Sequence, residues 1–136
     1  MAYLFVYGTL LREIGHEVVQ AIAANLEFGD QGHLSGELYD LGDYPALIET
    51  SSPAETVKGE VYMVTDPNRV FGMLDEYEGV NDEPALYSRE LKTVTLANGG
   101  EVESWVYIYQ QPLGAENEKI INGDYLAFLR NKVNNG

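Results

Sequence analysis

Apolar positions along the chain recur with two periods, one suited to strands and one to helices. Tyr3 to Tyr7 is an aromatic and β-branched run ending at Gly8, the pattern of a buried strand that enters a tight turn. From His16 to Leu26, residues Val18, Val19, Ile22, Ala23 and Leu26 follow helical spacing, with Gly29 beyond them as a stop signal. Leu34 to Leu41 and Val57 to Val64 read as strands, separated by a Gly42-Asp43-Tyr44-Pro45 turn and a polar Thr50-Ser51-Ser52-Pro53 loop. Asp66-Pro67 supplies an N-cap and a proline at the first helical position. Val70, Phe71, Leu74 and Tyr77 form an apolar stripe behind it, and Gly79 is the expected stop. Tyr87 to Ala97 and Val102 to Tyr109 flank Asn98-Gly99-Gly100, a turn sequence that predicts a hairpin. After Pro112-Leu113-Gly114, the stretch Asp124 to Val133 carries Tyr125, Leu126, Phe128, Leu129 and Val133 at helical spacing. This last helix should dock on the sheet and fray at Asn134 and Asn135.

The chain has no internal repeat with a period of 20 to 50 residues, and no linker long enough to divide it, so residues 1–136 are expected to form one domain. Strands outnumber helices and do not alternate with them as in a doubly wound fold. The predicted class is therefore α+β, a small mixed β-barrel of five or more strands with a few covering helices.

Charge and composition narrow the functional classes. With 8 basic against 22 acidic residues, a formal net charge of -14, the surface repels phosphate backbones and anionic headgroups, which argues against nucleic-acid and membrane partners. The absence of cysteine removes disulfides, thiolate nucleophiles and Cys-ligated metals. His16 and His33 have no ligand-spaced partner, so neither a metal nor a cofactor is expected. The N-terminal run has no basic n-region or small-residue cleavage site, and no stretch approaches a membrane span, so the expected compartment is the cytoplasm. No serine lies in a Gly-x-Ser-x-Gly elbow.

Two constellations remain. Glu78 lies four residues after Leu74, on the side of its helix that Phe71 and Leu74 turn to the core. Burial, the negative end of the helix dipole and the nearby Asp75, Glu76, Asp82 and Glu83 would each raise its pKa, which suits a general acid/base working near neutral pH. Spacing alone fits more readily a side chain pointing to water at a helix end. The second constellation is Tyr7-Gly8-Thr9-Leu10, where successive backbone N–H groups in a glycine turn can cradle a carboxylate or oxyanion. An ordinary strand-to-loop turn, with Thr9 bonding its own backbone, fits the same residues.

Taken in order, Phe5-Val6-Tyr7-Gly8-Thr9-Leu10, Gly36-Glu37-Leu38-Tyr39-Asp40-Leu41, Tyr44-Pro45-Ala46-Leu47, Gly59-Glu60-Val61-Tyr62 and Leu74-Asp75-Glu76-Tyr77-Glu78-Gly79 resemble the gamma-glutamylcyclotransferase-like family. Leu86-Tyr87-Ser88-Arg89, Trp105-Val106-Tyr107 and Asn122-Gly123-Asp124-Tyr125 extend the likeness over nearly the whole chain. The resemblance implies a compact mixed barrel whose cavity takes a small-molecule γ-glutamyl substrate. It also implies binding by Tyr7, Gly8, Thr9 and Leu10, catalysis by Glu78, and a substrate-facing aromatic at Tyr107. The implied reaction is attack of the substrate's own α-amino group on its γ-carbonyl, giving 5-oxoproline and a free amine or amino acid. A noncatalytic module that binds a small amino-acid-like ligand on the same fold is the alternative. The loops at Leu11 to Gly15, Tyr44 to Ala46 and Val80 to Leu86 are those expected to read the leaving group.

Overall fold

The aromatic opening run forms β1 (Ala2–Val6), whose last three residues are buried. The computed structural model of the protein describes residues 2–50, 52 and 54–135, without the side chains of 133–135. Parts of the Thr50–Pro53 loop, and the packing of Val133, therefore lie outside the described residues. After β1 come α1 (Glu17–Ile22) and a single 3-10 turn, then strands β2 (Leu26–Ser35), β3 (Glu37–Asp40), β4 (Pro45–Ile48) and β5 (Thr56–Val64). Helix α2 (Pro67–Tyr77), the hairpin β6 (Tyr87–Leu96) and β7 (Glu101–Tyr109), and α3 (Tyr125–Asn135) complete the chain.

Five strands close into a barrel in the order β1-β5-β2-β6-β7, and β3 and β4 form a separate two-stranded sheet. Strand β5 is the hub: β1 pairs with it antiparallel from Ala2↔Val64 to Val6↔Glu60, and β2 lies along its other edge from Leu26↔Val64 to Ser35↔Thr56. Closure rests on short contacts. Strand β2 meets β6 at Gly32↔Leu96 and His33↔Thr95, and β7 meets β1 in parallel at Leu4↔Trp105. Leu4, Phe5, Val57, Val61, Val94 and Val106 of the barrel strands are buried in one core cluster, to which Val70 and Leu74 of α2 also belong. This mixed barrel with few helices is the expected α+β architecture.

Helix α2 begins where its sequence predicted. Asp66 accepts from the Arg69 N–H at 3.4 Å and Pro67 follows it in the first turn. The helix ends in a Schellman motif: Val80 N–H donates to Asp75 C=O at 2.9 Å, and Gly79 N–H to Glu76 C=O at 3.2 Å. Gly79 holds a φ of +69°, and a Cβ there would come within 2.8 Å of Asp82 Oδ2. The motif fixes Glu78 as the C-cap residue. At α3, Asp124 Oδ1 accepts from the Ala127 N–H at 3.1 Å, capping the helix from the residue before Tyr125.

The structure corrects five expectations. The first helix is shorter than His16–Leu26, because the chain leaves α1 at Ile22 and reaches β2 by Leu26. Gly29 is no helix stop: it sits inside β2, at the register shift between Phe28 and Asp30. The expected strand Leu34–Leu41 is divided at Gly36 between β2 and β3, and Pro45 starts strand β4 where a turn was expected. Finally, α3 continues helical through Asn135, past the expected fraying point.

Candidate active site

The end of β1, the end of α2 and the hairpin β6–β7 converge on one cavity of about 150 Å³. Its lining includes Tyr7, Gly8, Thr9 and Leu10 from the turn after β1, and Tyr77 and Glu78 from α2. Tyr87 and Tyr107 come from the hairpin, and Tyr44, Pro45 and Leu86 from the flanking loops. All six residues singled out in the sequence (Tyr7, Gly8, Thr9, Leu10, Glu78 and Tyr107) are among them. Among the described residues the lining holds no lysine or arginine. Glu78 is thus the charged side chain of this wall, facing phenols and backbone.

The C-cap position turns the Glu78 side chain into the cavity, half-buried, and burial pushes its pKa up to about 7. Desolvation is the cause, and the charges of the neighbouring acids do not figure beside it. One reason is visible at Asp75. Its carboxylate is taken up by Arg89, with Nε at 2.8 Å and a second guanidinium nitrogen at 3.2 Å, and by the Tyr107 hydroxyl at 2.8 Å. Arg89 is in turn stacked over Phe71 and Trp105, 4.4 and 4.7 Å from the ring centroids. Among the described residues no side chain donates a hydrogen bond to the Glu78 carboxylate.

Three buried tyrosines surround the acid, and the charge of Glu78 acts on all three. Burial is the first cause in each case of a pKa raised well above the ordinary phenol value, and Glu78 adds to it for Tyr7, Tyr87 and Tyr107. None of these phenols serves as a base near neutral pH. Each hydroxyl proton is committed: Tyr7 donates to the Tyr107 carbonyl at 2.6 Å, Tyr87 to the Pro45 carbonyl at 2.9 Å, and Tyr107 to Asp75.

The turn after β1 is closed by the Leu11 N–H donating to the Gly8 carbonyl at 3.0 Å. Within it the N–H groups of Gly8, Thr9 and Leu10 find no acceptor among the described residues, so three successive donors stand unpaired at the cavity. Gly8 is required here for close approach: a Cβ would lie 2.4 Å from Pro45 Cγ. The exit of the turn is anchored by Glu60, 7% exposed, which accepts from the Arg12 N–H at 3.0 Å and from the Tyr62 hydroxyl at 3.1 Å. Thr9 Oγ1 and the Tyr77 hydroxyl share a hydrogen bond of 3.3 Å, tying the turn to α2.

Sequence reasoning missed Tyr87 and Glu60 as parts of this arrangement. Both lie in segments that carried the family resemblance, but spacing gave neither a partner. Of the three loops expected to border the site, Tyr44–Pro45 and Leu86 line the cavity, whereas the residues Leu11 to Gly15 do not. Among the described residues no cluster of three or more His, Asp or Glu side chains is placed to hold a metal, and no helix is long and apolar enough to cross a membrane.

Comparison with known proteins bears on the family and the fold. Residues 4–127 match the family model described as gamma-glutamyl cyclotransferase, AIG2-like. A protein of Vibrio cholerae named "Putative gamma-glutamylcyclotransferase" is 36% identical over 109 residues, covering 79% of this chain and 82% of its own. The crystal structure of an AIG2-like protein from mouse superposes with a TM-score of 0.66 at 26% identity, covering 92% of this chain and 94% of that one. YkqA from Bacillus subtilis shares the fold at a TM-score of 0.73 and 22% identity; the match covers 98% of this chain but 42% of that protein.

Proposed function

The chain belongs to the gamma-glutamyl cyclotransferase, AIG2-like family, and on that premise we propose that it closes the glutamyl part of a γ-glutamyl compound into 5-oxoproline and releases an amine or amino acid. The observation that carries this reading is Glu78, a half-buried carboxylate with a pKa of about 7, in one cavity with three unpaired backbone donors. A group poised near neutrality is present in both protonation states, which acid–base work in two directions requires.

The cavity is small. A void of about 150 Å³ accommodates a ligand the size of a benzene ring, which matches a glutamyl head folded toward a five-membered ring. The leaving group then lies beyond it, against the Tyr44, Tyr77 and Leu86 side of the lining. Because nucleophile and electrophile share one molecule, confinement in the folded conformer does much of the catalytic work.

In the proposed reaction the α-ammonium gives a proton to the Glu78 carboxylate, and the freed nitrogen pair attacks the γ-carbonyl carbon. The new C–N bond places the carbonyl π pair on oxygen. The N–H groups of Gly8, Thr9 and Leu10 supply donors for that oxyanion or for the substrate carboxylate. Return of the pair breaks the old C–N bond. Over the cycle the attacking nitrogen sheds two protons and the leaving nitrogen gains two, carried by Glu78, which ends as it began. No water, metal or cofactor enters the balance.

The test is a panel of γ-glutamyl amino acids, γ-glutamyl amines and γ-glutamyl-lysine scored for 5-oxoproline release. Release from at least one class is the expected result. Binding without release from any of them would replace the enzyme by a noncatalytic binding module.

A further inference from the structure

The cavity separates hydrogen-bond donors from acceptors. On one segment stand the three backbone N–H groups of Gly8, Thr9 and Leu10. The polar side chains of the buried wall are Glu78 and the phenols of Tyr7, Tyr87 and Tyr107. A phenol whose proton is committed elsewhere can only accept from a ligand, and each of these three protons is committed to a fixed protein oxygen. The Leu47 backbone amide bears on the Tyr7 oxygen as well. Tyr87 and Tyr107 each keep an open lone pair.

Resting on the reading above, we propose that Tyr87 and Tyr107 bind the substrate's α-ammonium as acceptors, that Asp75 is the positioning residue that holds the Tyr107 proton away from the cavity, and that the site thereby selects substrates with a free α-amino group. An ammonium has three protons and no acceptor capacity. Glu78, Tyr87 and Tyr107 offer three oxygens in one lining, without a competing cation. When one proton passes to Glu78, the two remaining N–H bonds stay on the phenol oxygens and hold the free amine. Asp75 secures this arrangement through Arg89, whose two contacts at 2.8 and 3.2 Å fix the carboxylate that accepts from Tyr107. An N-acylated or deaminated glutamyl group leaves both phenol oxygens unpaired in a buried site, which is the costly case.

The experiment is calorimetric binding of γ-L-glutamyl-methylamide and of its deaminated analogue, glutaric acid monomethylamide, to the full chain. A Glu78→Gln background blocks turnover. Added Tyr87→Phe or Tyr107→Phe should weaken γ-glutamyl-methylamide about tenfold or more, as for loss of a hydrogen bond to a charged group, and change the analogue less than about twofold. Asp75→Ala should match Tyr107→Phe and add nothing on top of it, while Asp75→Asn, which keeps an acceptor for the phenol, should restore most of the affinity. Equal losses on the two ligands, or no loss on either, would overturn the assignment, and so would an Asp75→Ala effect that adds to Tyr107→Phe. Because the readout is binding, a protein that binds but never releases 5-oxoproline would defeat the cyclotransferase reading alone.

Discussion

Replacing Glu78 by Gln should stabilise the fold at neutral and alkaline pH while removing the proposed acid/base. Burial lifts the Glu78 pKa from 4.5 to about 7, so the folded protein resists an ionisation that the unfolded chain undergoes freely. The group costs nothing below the unfolded value, costs progressively more between pH 4.5 and 7, and carries its full penalty above that range. At about 1.36 kcal/mol per pH unit, the rise amounts to about 3 kcal/mol. A neutral glutamine of nearly the same shape carries no such term. The assay is guanidinium unfolding of wild type and Glu78→Gln at pH 4, 6 and 8. The two should coincide at pH 4 and separate by about 3 kcal/mol at pH 8, equivalent to roughly 10 °C in melting temperature for a domain of this size. Parallel stability curves across that range would refute the argument, because they would mean that Glu78 ionises in the fold as easily as in the unfolded chain.

Three further outcomes follow from the same geometry. The kcat/KM for 5-oxoproline release should fall as pH drops below about 7, tending to tenfold per pH unit, as the Glu78 carboxylate takes up its proton; a profile flat from pH 5 to 8 would contradict this. Gly8→Ala should lower stability by about 1–3 kcal/mol and weaken γ-glutamyl binding, because its Cβ would sit 2.4 Å from Pro45 Cγ, and thermal melts with calorimetry read both effects. Ser104→Ala should raise stability by about 1 kcal/mol in guanidinium unfolding, since the buried Ser104 hydroxyl has no hydrogen-bond partner among the described residues.

Elements with local punctuation were legible in the sequence. Asp66-Pro67 and Gly79 bracket α2 because capping and left-handed backbone are local requirements, and Asn98-Gly99-Gly100 marks its hairpin for the same reason. Strand β2 was hidden. It has two glycines, a bulge and mostly exposed or half-exposed side chains, and what makes it a strand is its pairing along β5, a tertiary fact. Pro45 looked like a turn residue, yet it can start β4 because a strand's first position tolerates proline. At the site, the face of α2 was enough to suggest a desolvated Glu78. The removal of Asp75 from its electrostatic surroundings was not readable, because Arg89 and Tyr107 arrive from the distant hairpin. Tyr87 was lost among ten tyrosines, since only the fold shows that its proton goes to Pro45.

The most direct measurement is the rate of 5-oxoproline release by wild type and Glu78→Gln on one γ-glutamyl substrate that the wild type turns over, with substrate binding measured alongside. Release that disappears in the variant while binding persists is the predicted result. Release at the wild-type rate from Glu78→Gln would contradict the assignment of Glu78 as the acid/base.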